Sequence, residues 1–231
     1  MSLLEVDELR VSFPGKGWRK KPVEVLHGVS LSVAPGETLG LVGESGSGKT
    51  TIGRAVLGLV TPSGGDIRFD GTSIARISAR DRRRLSRDIQ VVFQDPYTSL
   101  NPSMTVGDIL AEPLVIQGAT AKDARSRVRT LLDQVGLPSD AIERLPREFS
   151  GGQRQRVAIA RALAPEPRLI VCDEPVSALD LSTQARVLDL FVEIQRATGV
   201  AYLFVSHDLS VVRHISLSLI HISEPTRLRR I

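Results

Sequence analysis

The sequence predicts an α/β fold in which a strand-and-helix core is preceded by an antiparallel β layer and interrupted by a helical segment. Three observations carry this expectation. An apolar run, TLGLV, feeds a glycine-rich turn and then the helix-compatible TIGRAVLGLV. A second continuous apolar run, LIVC, ends in two carboxylates. Between them, from about 95 to 150, strand-like patterning gives way to helical spacing.

Up to about residue 94, the runs LRVSF, VEVLHGVSLSV, DIRFD and DIQVVF alternate with turns such as PGE and SGGD, which reads as the antiparallel layer plus a first strand–loop–helix unit. Glu5, Asp7 and Glu8 interrupt any N-terminal apolar stretch, so no signal peptide is expected. In the loop, Gly43 and Gly48 bracket Glu44, Ser45, Gly46 and Ser47 ahead of Lys49, Thr50 and Thr51. Such glycines let backbone N–H groups curl around a phosphate, and the helix start favours the anion. Lys49 would reach the β- and γ-phosphate oxygens and the Thr50 hydroxyl would ligate Mg²⁺. A glycine turn without a ligand is the alternative, against which the strand-to-helix context weighs.

In the helical segment Ala124, Val128, Leu131, Leu132 and Val135 recur at helical spacing and stop at Gly136 and Pro138, which predicts an amphipathic helix. Ser150, Gly151, Gly152 and Gln153 then precede the helical run RQRVAIARAL, a second anion-compatible helix start that could equally be an ordinary cap. LIVC suits a strand buried on both faces, with Asp173 and Glu174 at the edge where parallel sheets place ligands. Asp173 would hold Mg²⁺ through its water shell and Glu174 would polarise an attacking water. Cys172, the only cysteine, reads as a small core filler, and Ser182 or Thr183 as the cap of ARVLDLFVEIQRATG.

Composition agrees with a reducing compartment: 42% hydrophobic residues over 231 positions, one cysteine and no apolar run of membrane-spanning length. The charge of +4 invites a reading of contact with nucleic acid or anionic lipid at Arg80, Arg82, Arg83, Arg84 and Arg87. Interleaved Asp81 and Asp88 favour a solvated helix face instead, and no aromatics are interspersed to stack bases, so no nucleic-acid partner is expected.

Taken together, GESGSGKTT, FSGGQRQR and LIVCDEP resemble the ATPase subunit of an ATP-binding-cassette (ABC) transporter. The resemblance implies a P-loop (RecA-like) core over 1–94 and 151–216, with the ABC helical subdomain inserted at 95–150. It implies that Ser150 to Gln153 contact the γ-phosphate held by a partner subunit, so that two ATPs are sandwiched in a head-to-tail dimer. Residue by residue, Gln94 matches the glutamine that senses Mg²⁺ and the attacking water and links the site to the membrane partner. Asp180 matches the loop that crosses to the opposite subunit, His207 the histidine that contacts the γ-phosphate, and Phe13 the aromatic that stacks on adenine, with Trp18 a competitor.

FQDPYTSLNPSMTVGDILAEPL is similar to the oligopeptide and dipeptide permease ATPases, and QDPY to the second ATPase of such importers. This implies a heterodimer with another ABC ATPase, two membrane permease subunits, an indirect substrate-binding protein, and a place at the cytoplasmic face of the cell membrane. Nickel, glutathione and antimicrobial-peptide systems share these words. A soluble ABC ATPase energising a non-transport complex, such as phosphonate degradation, is the alternative. A binding module without catalysis is disfavoured, since every catalytic position is filled.

After Ser216 the chain departs from the resemblance, which implies a strand opening with an acidic–basic pair. LSLIHISEPTR resembles the translation of a sequencing-library adapter, so residues 217–231 are expected to be an artefactual tail on a C-terminally truncated core, with Leu217 to Ile222 imitating the missing strand.

Overall fold

The computed structural model describes residues 2–15, 21–215, 218–223 and 227–230. Strands β1 (Leu4–Phe13), β2 (Val23–Val33) and β3 (Thr38–Gly43) lead to helix α1 (Lys49–Val56). Then come β4 (Gly64–Phe69), β5 (Thr72–Ser73), α2 (Ala79–Leu85) and β6 (Ile89–Val92). A helical stretch holds α3 (Pro96–Ser99), α4 (Val106–Ile116), α5 (Ala121–Gln134), two 3₁₀ turns at Ser139–Glu143 and Pro146–Glu148, and α6 (Gly151–Leu163). The chain continues through β7 (Leu169–Asp173), α7 (Leu181–Thr198), β8 (Ala201–Ser206), α8 (Leu209–Ile215), β9 (Ser218–Ser223) and β10 (Arg227–Arg230). These elements form two compact units, 1–86 with 201–231, and 87–200.

In the first unit, β2, β1, β4 and β5 make an antiparallel sheet in that order. β1 buries Leu4 and Val6 on one parity and Leu9 and Val11 on the other. The switch falls at a register shift, where Glu8 takes a left-handed φ of 47°. Opposite it Gly65 has φ 78°, and a Cβ there would stand 2.3 Å from the Glu8 carbonyl oxygen. The SGGD motif is therefore not a turn: Gly64 and Gly65 lie within β4, where the bulge leaves no room for a side chain.

β3 pairs in parallel with β8 and with β9, and β10 runs antiparallel to β9. All six residues of β3 and of β8 are buried, as continuous apolar strands require when both faces are covered. Ser218 stands opposite Leu39 and the buried Ile220 opposite Leu41, so Ser218–Ser223 of the adapter-like stretch occupy a strand position beside β3, while Leu217 lies outside the described residues. The Arg-rich α2 is largely solvated as expected, except that Arg82 donates to the Val56 and Ile74 carbonyls at 3.2 and 2.5 Å.

In the second unit β6 and β7 pair in parallel, and α5 buries Ala124, Val128, Leu131 and Leu132 before ending at Gly136 (φ 64°), as the spacing requires. The start of α7 differs from expectation. Its cap is Asp180, whose carboxylate accepts from the Ser182 and Thr183 amides at 3.1 Å each, while both hydroxyls donate back to it at 2.7 Å. One carboxylate takes four donors, which neither hydroxyl could do, so the helix begins two residues before Thr183. Among the described residues no helix is long and apolar enough to cross a membrane.

Candidate active site

The glycine loop and His207 belong to the first unit; Gln94, Ser150 to Gln153, Asp173, Glu174 and Asp180 belong to the second. In the first, β3 delivers the loop Glu44 to Gly48 to the start of α1. Gly46 (φ 88°) and Gly48 (φ 94°) are both left-handed, which turns successive N–H groups to one side. A Cβ on Gly48 would lie 2.6 Å from Leu26 Cδ2, so glycine is needed there twice over. α1 has no side-chain cap. Lys49 is 4% exposed. Its ammonium donates to the Gly43 carbonyl at 2.7 Å, the Glu44 carbonyl at 2.6 Å and Ser47 Oγ at 3.3 Å. The cation is thereby wrapped by the loop that would cradle a phosphate.

Phe13 closes β1 opposite Val23 of β2, and both are exposed, at 39% and 59%. They offer an apolar platform in the unit that holds the glycine loop; Trp18 lies outside the described residues. His207 follows the buried β8 and is exposed. Its neighbour Asp208 accepts from Ser210 Oγ and N at 2.7 and 2.8 Å, which holds that carboxyl below the usual aspartate range, and the charge of His207 adds to the effect.

In the second unit the register of β6 on β7 sets the acidic pair. Val92 is opposite Cys172, so Gln94 and Glu174 each lie two residues beyond a matched position. Gln94 Nε2 donates to Glu174 Oε2 at 3.5 Å, the outer limit of a hydrogen bond. Glu174 adopts φ 50°, left-handed for a residue with a Cβ, and Ser177 N and Oγ bind its carbonyl at 3.2 and 3.1 Å. Strain of this kind costs on the order of 1–3 kcal/mol and gathers at functional positions. Cys172 is fully buried beside them, and burial pushes its thiol well above the usual range, as befits a core filler.

Ser150 caps α6 in a closed capping box: its hydroxyl accepts from Gln153 N at 3.3 Å and Gln153 Oε1 accepts from Ser150 N at 3.0 Å. A Cβ on Gly152 would stand 2.4 Å from Thr183 Cγ2, so this glycine is what lets the starts of α6 and α7 approach. A cavity of about 340 Å³ opens there, lined among others by Ser150, Gln153, Arg156, Thr183 and Arg186. Its two arginines and the positive end of α6 suit an anion. Asp180 is exposed, and hydrogen bonds from Thr183 and then Ser182 hold it far below the usual aspartate range.

In the first unit Thr50 carries a hydroxyl, and in the second Gln94 carries an amide oxygen and Asp173 a carboxylate, each an oxygen of the kind a hard cation takes. Among the described residues there is no cluster of three or more His, Cys, Asp or Glu that would form an all-protein cage. Sparse oxygen donors of this kind are what Mg²⁺, a hard ion that keeps water and phosphate oxygens in its shell, takes from a protein. Sequence reasoning missed Tyr97, Arg154 and Arg161, which meet where Arg154 lies over the Tyr97 ring and Arg161 donates to the Ser99 carbonyl; the one available signal was Arg161, a lone charge in the apolar second half of α6.

The chain is similar to known proteins in sequence and in fold. The family model described as "ABC transporter" matches residues 26–177. A Brucella ovis protein named as a peptide import ATP-binding protein is 56% identical over 198 residues, 85% of this chain and 62% of its own length. The oligopeptide transport ATP-binding protein OppF of Salmonella typhimurium is 49% identical over 222 residues, 93% of this chain and 66% of its own. The chain thus spans under two thirds of the length of these relatives. The ATP-binding cassette MJ0796, solved as a dimer in a post-hydrolysis state bound to ADP and Pi, superposes with a TM-score of 0.85 at 27% identity, covering 98% of each chain.

Proposed function

The chain belongs to the ABC transporter family, and on that footing we propose that it is the ATP-hydrolysing subunit of a peptide importer. The observation that best supports hydrolysis is the strained Glu174 at the end of β7 with the Gln94 amide directed at its carboxylate. Glu174 takes the proton of the attacking water, and Gln94 and His207 orient that water toward the γ-phosphorus. The amides of Ser45 to Thr51 and Lys49 hold the phosphates, and Phe13 stacks on the base. Thr50, Gln94 and Asp173 would hold Mg²⁺, which when bound neutralises charge developing on the phosphate oxygens.

Ser150 to Gln153 serve a nucleotide held by a second ATPase subunit, and the Asp180 loop crosses toward it, so that two ATPs lie between paired chains. The relatives named for peptide import support a peptide cargo; two permease subunits and a place at the cytoplasmic face of the membrane complete the proposal.

Glu174→Gln is the direct test. It should lower kcat by roughly 10²–10⁴, the usual weight of a general base, and trap ATP-bound dimers on gel filtration. Undiminished phosphate release would sink the assigned role. Co-purification with a multi-spanning membrane protein separates a transport subunit from a soluble energiser.

A further inference from the structure

We propose that Arg154 and Arg161 of α6 clamp the Gln94 loop, so that the position of Gln94 against Glu174 follows the position of the helix headed by Ser150. This deepens the hydrolytic reading above and rests on it. The two arginines are seven residues apart, two helical turns, and so share a face of α6. Both reach α3, the single turn that follows Gln94 and Asp95. The Arg154 guanidinium lies 3.9 Å from the Tyr97 ring centroid. Arg161 Nη1 donates to the Ser99 carbonyl at the other end of α3.

α3 has only four residues, far too few to hold a helix by itself, so its position depends on what it is tied to. Internally it is stiff: Asp95 accepts from Tyr97 N at 2.8 Å and from Thr98 Oγ1 at 3.1 Å. The Tyr97 ring is 63% exposed, so the guanidinium face supplies what core packing does not. Arg154 is itself anchored, donating to the Pro146 carbonyl at 2.6 Å and the Arg147 carbonyl at 3.2 Å. Those carbonyls sit just ahead of Ser150. One guanidinium therefore joins the approach to α6, α6 itself and the Gln94 loop. Arg154 Nη1 is buried with no hydrogen-bond partner among the described residues, a penalty that an apolar packing residue would avoid. The contacts of this guanidinium, rather than the volume it fills, account for its presence.

When Ser150 to Gln153 engage a phosphate, any shift of α6 is carried through both arginines to α3 and to Gln94. Arg154, Arg161 and Tyr97 are thus positioning residues, acting through Gln94. The experiment uses the full chain assembled with its partners and reads hydrogen exchange over 94–99 and 157–163 together with ATPase kinetics. Tyr97→Leu and Arg154→Lys should each raise exchange over 94–99 about tenfold while 157–163 stays protected, and lower kcat about tenfold with KM for ATP nearly unchanged. Tyr97→Phe, which keeps the ring face, should restore both. Wild-type exchange over 94–99 in the first two variants overturns the clamp. So does exchange that rises equally through 157–163, which would mean that α6 merely unfolds. A wild-type assembly without ATPase activity would refute the hydrolytic reading, and the exchange arm would still decide whether the arginines hold the loop.

Discussion

The helix starts at the two candidate phosphate-binding loops, one in each unit, differ in what fills them. α1 opens on Gly48 with no side-chain cap, and the loop before it closes on its own cation, Lys49. α6 opens on Ser150, whose capping box with Gln153 satisfies donors at both residues. Both ends attract anions through their amides and dipole. The first is shaped by glycines held at left-handed φ, one of them packed against Leu26; the second is complete as a helix and faces a cavity edged by Arg156 and Arg186. That contrast suits a loop that owns its nucleotide and another that meets a nucleotide brought by a second chain.

The most disruptive way to test the contrast is Lys49→Ala. It removes the buried ammonium and leaves the Gly43 and Glu44 carbonyls without it, so affinity for a fluorescent ATP analogue should fall by about 10²-fold or more. Unchanged affinity would detach the glycine loop from the nucleotide. Ser150 sharpens the comparison from the other side. Ser150→Ala should cost about 1 kcal/mol in thermal or denaturant unfolding through loss of the cap, whereas Ser150→Asp caps equally well and should leave stability unchanged. If the loop meets a partner's phosphate, however, the new carboxylate repels it, and turnover in Ser150→Asp should fall about tenfold or more. Wild-type turnover in that variant would reduce Ser150 to a cap.

The smallest effect lies at α7. The folded-state pKa of Asp180 is depressed, so the stability it contributes is fully present above the ordinary aspartate value of about 3.9 and is lost as pH falls below it toward the folded value. Unfolding midpoints should therefore be insensitive to this group between about pH 5 and 7 and decline only in stronger acid. Asp180→Asn, which still caps, should flatten part of that acid decline. A decline beginning near neutrality would assign it to other groups.

Much of the fold was legible because it is written in local pattern. The burial of β3 and β7, the stripe of α5 and the glycine loop each follow from a few neighbouring residues. What escaped involves parity or distance. The bulge at Glu8 flips the alternation of β1, so Leu4 and Val6 do not extend the period of Leu9 and Val11, and the strand looks shorter than it is. The cap of α7 was misplaced because Ser182 and Thr183 look like caps until a carboxylate two residues upstream collects both. The left-handed backbone of Glu174 has no sequence signal, since glutamate does not announce it. The contact of Arg154 with Tyr97 joins residues 57 apart, which no local period records.

The sealed state of Cys172 has a practical consequence for watching this molecule move. Because it is the only cysteine, fully buried and with its thiol held protonated, it should stay silent toward maleimides while the fold is intact. Leu59 and Leu181 are 62% and 82% exposed and lie one in each unit. A Leu59→Cys, Leu181→Cys variant would take a donor and an acceptor dye at those two places alone, giving a fluorescence ruler between the units with the native thiol left in place.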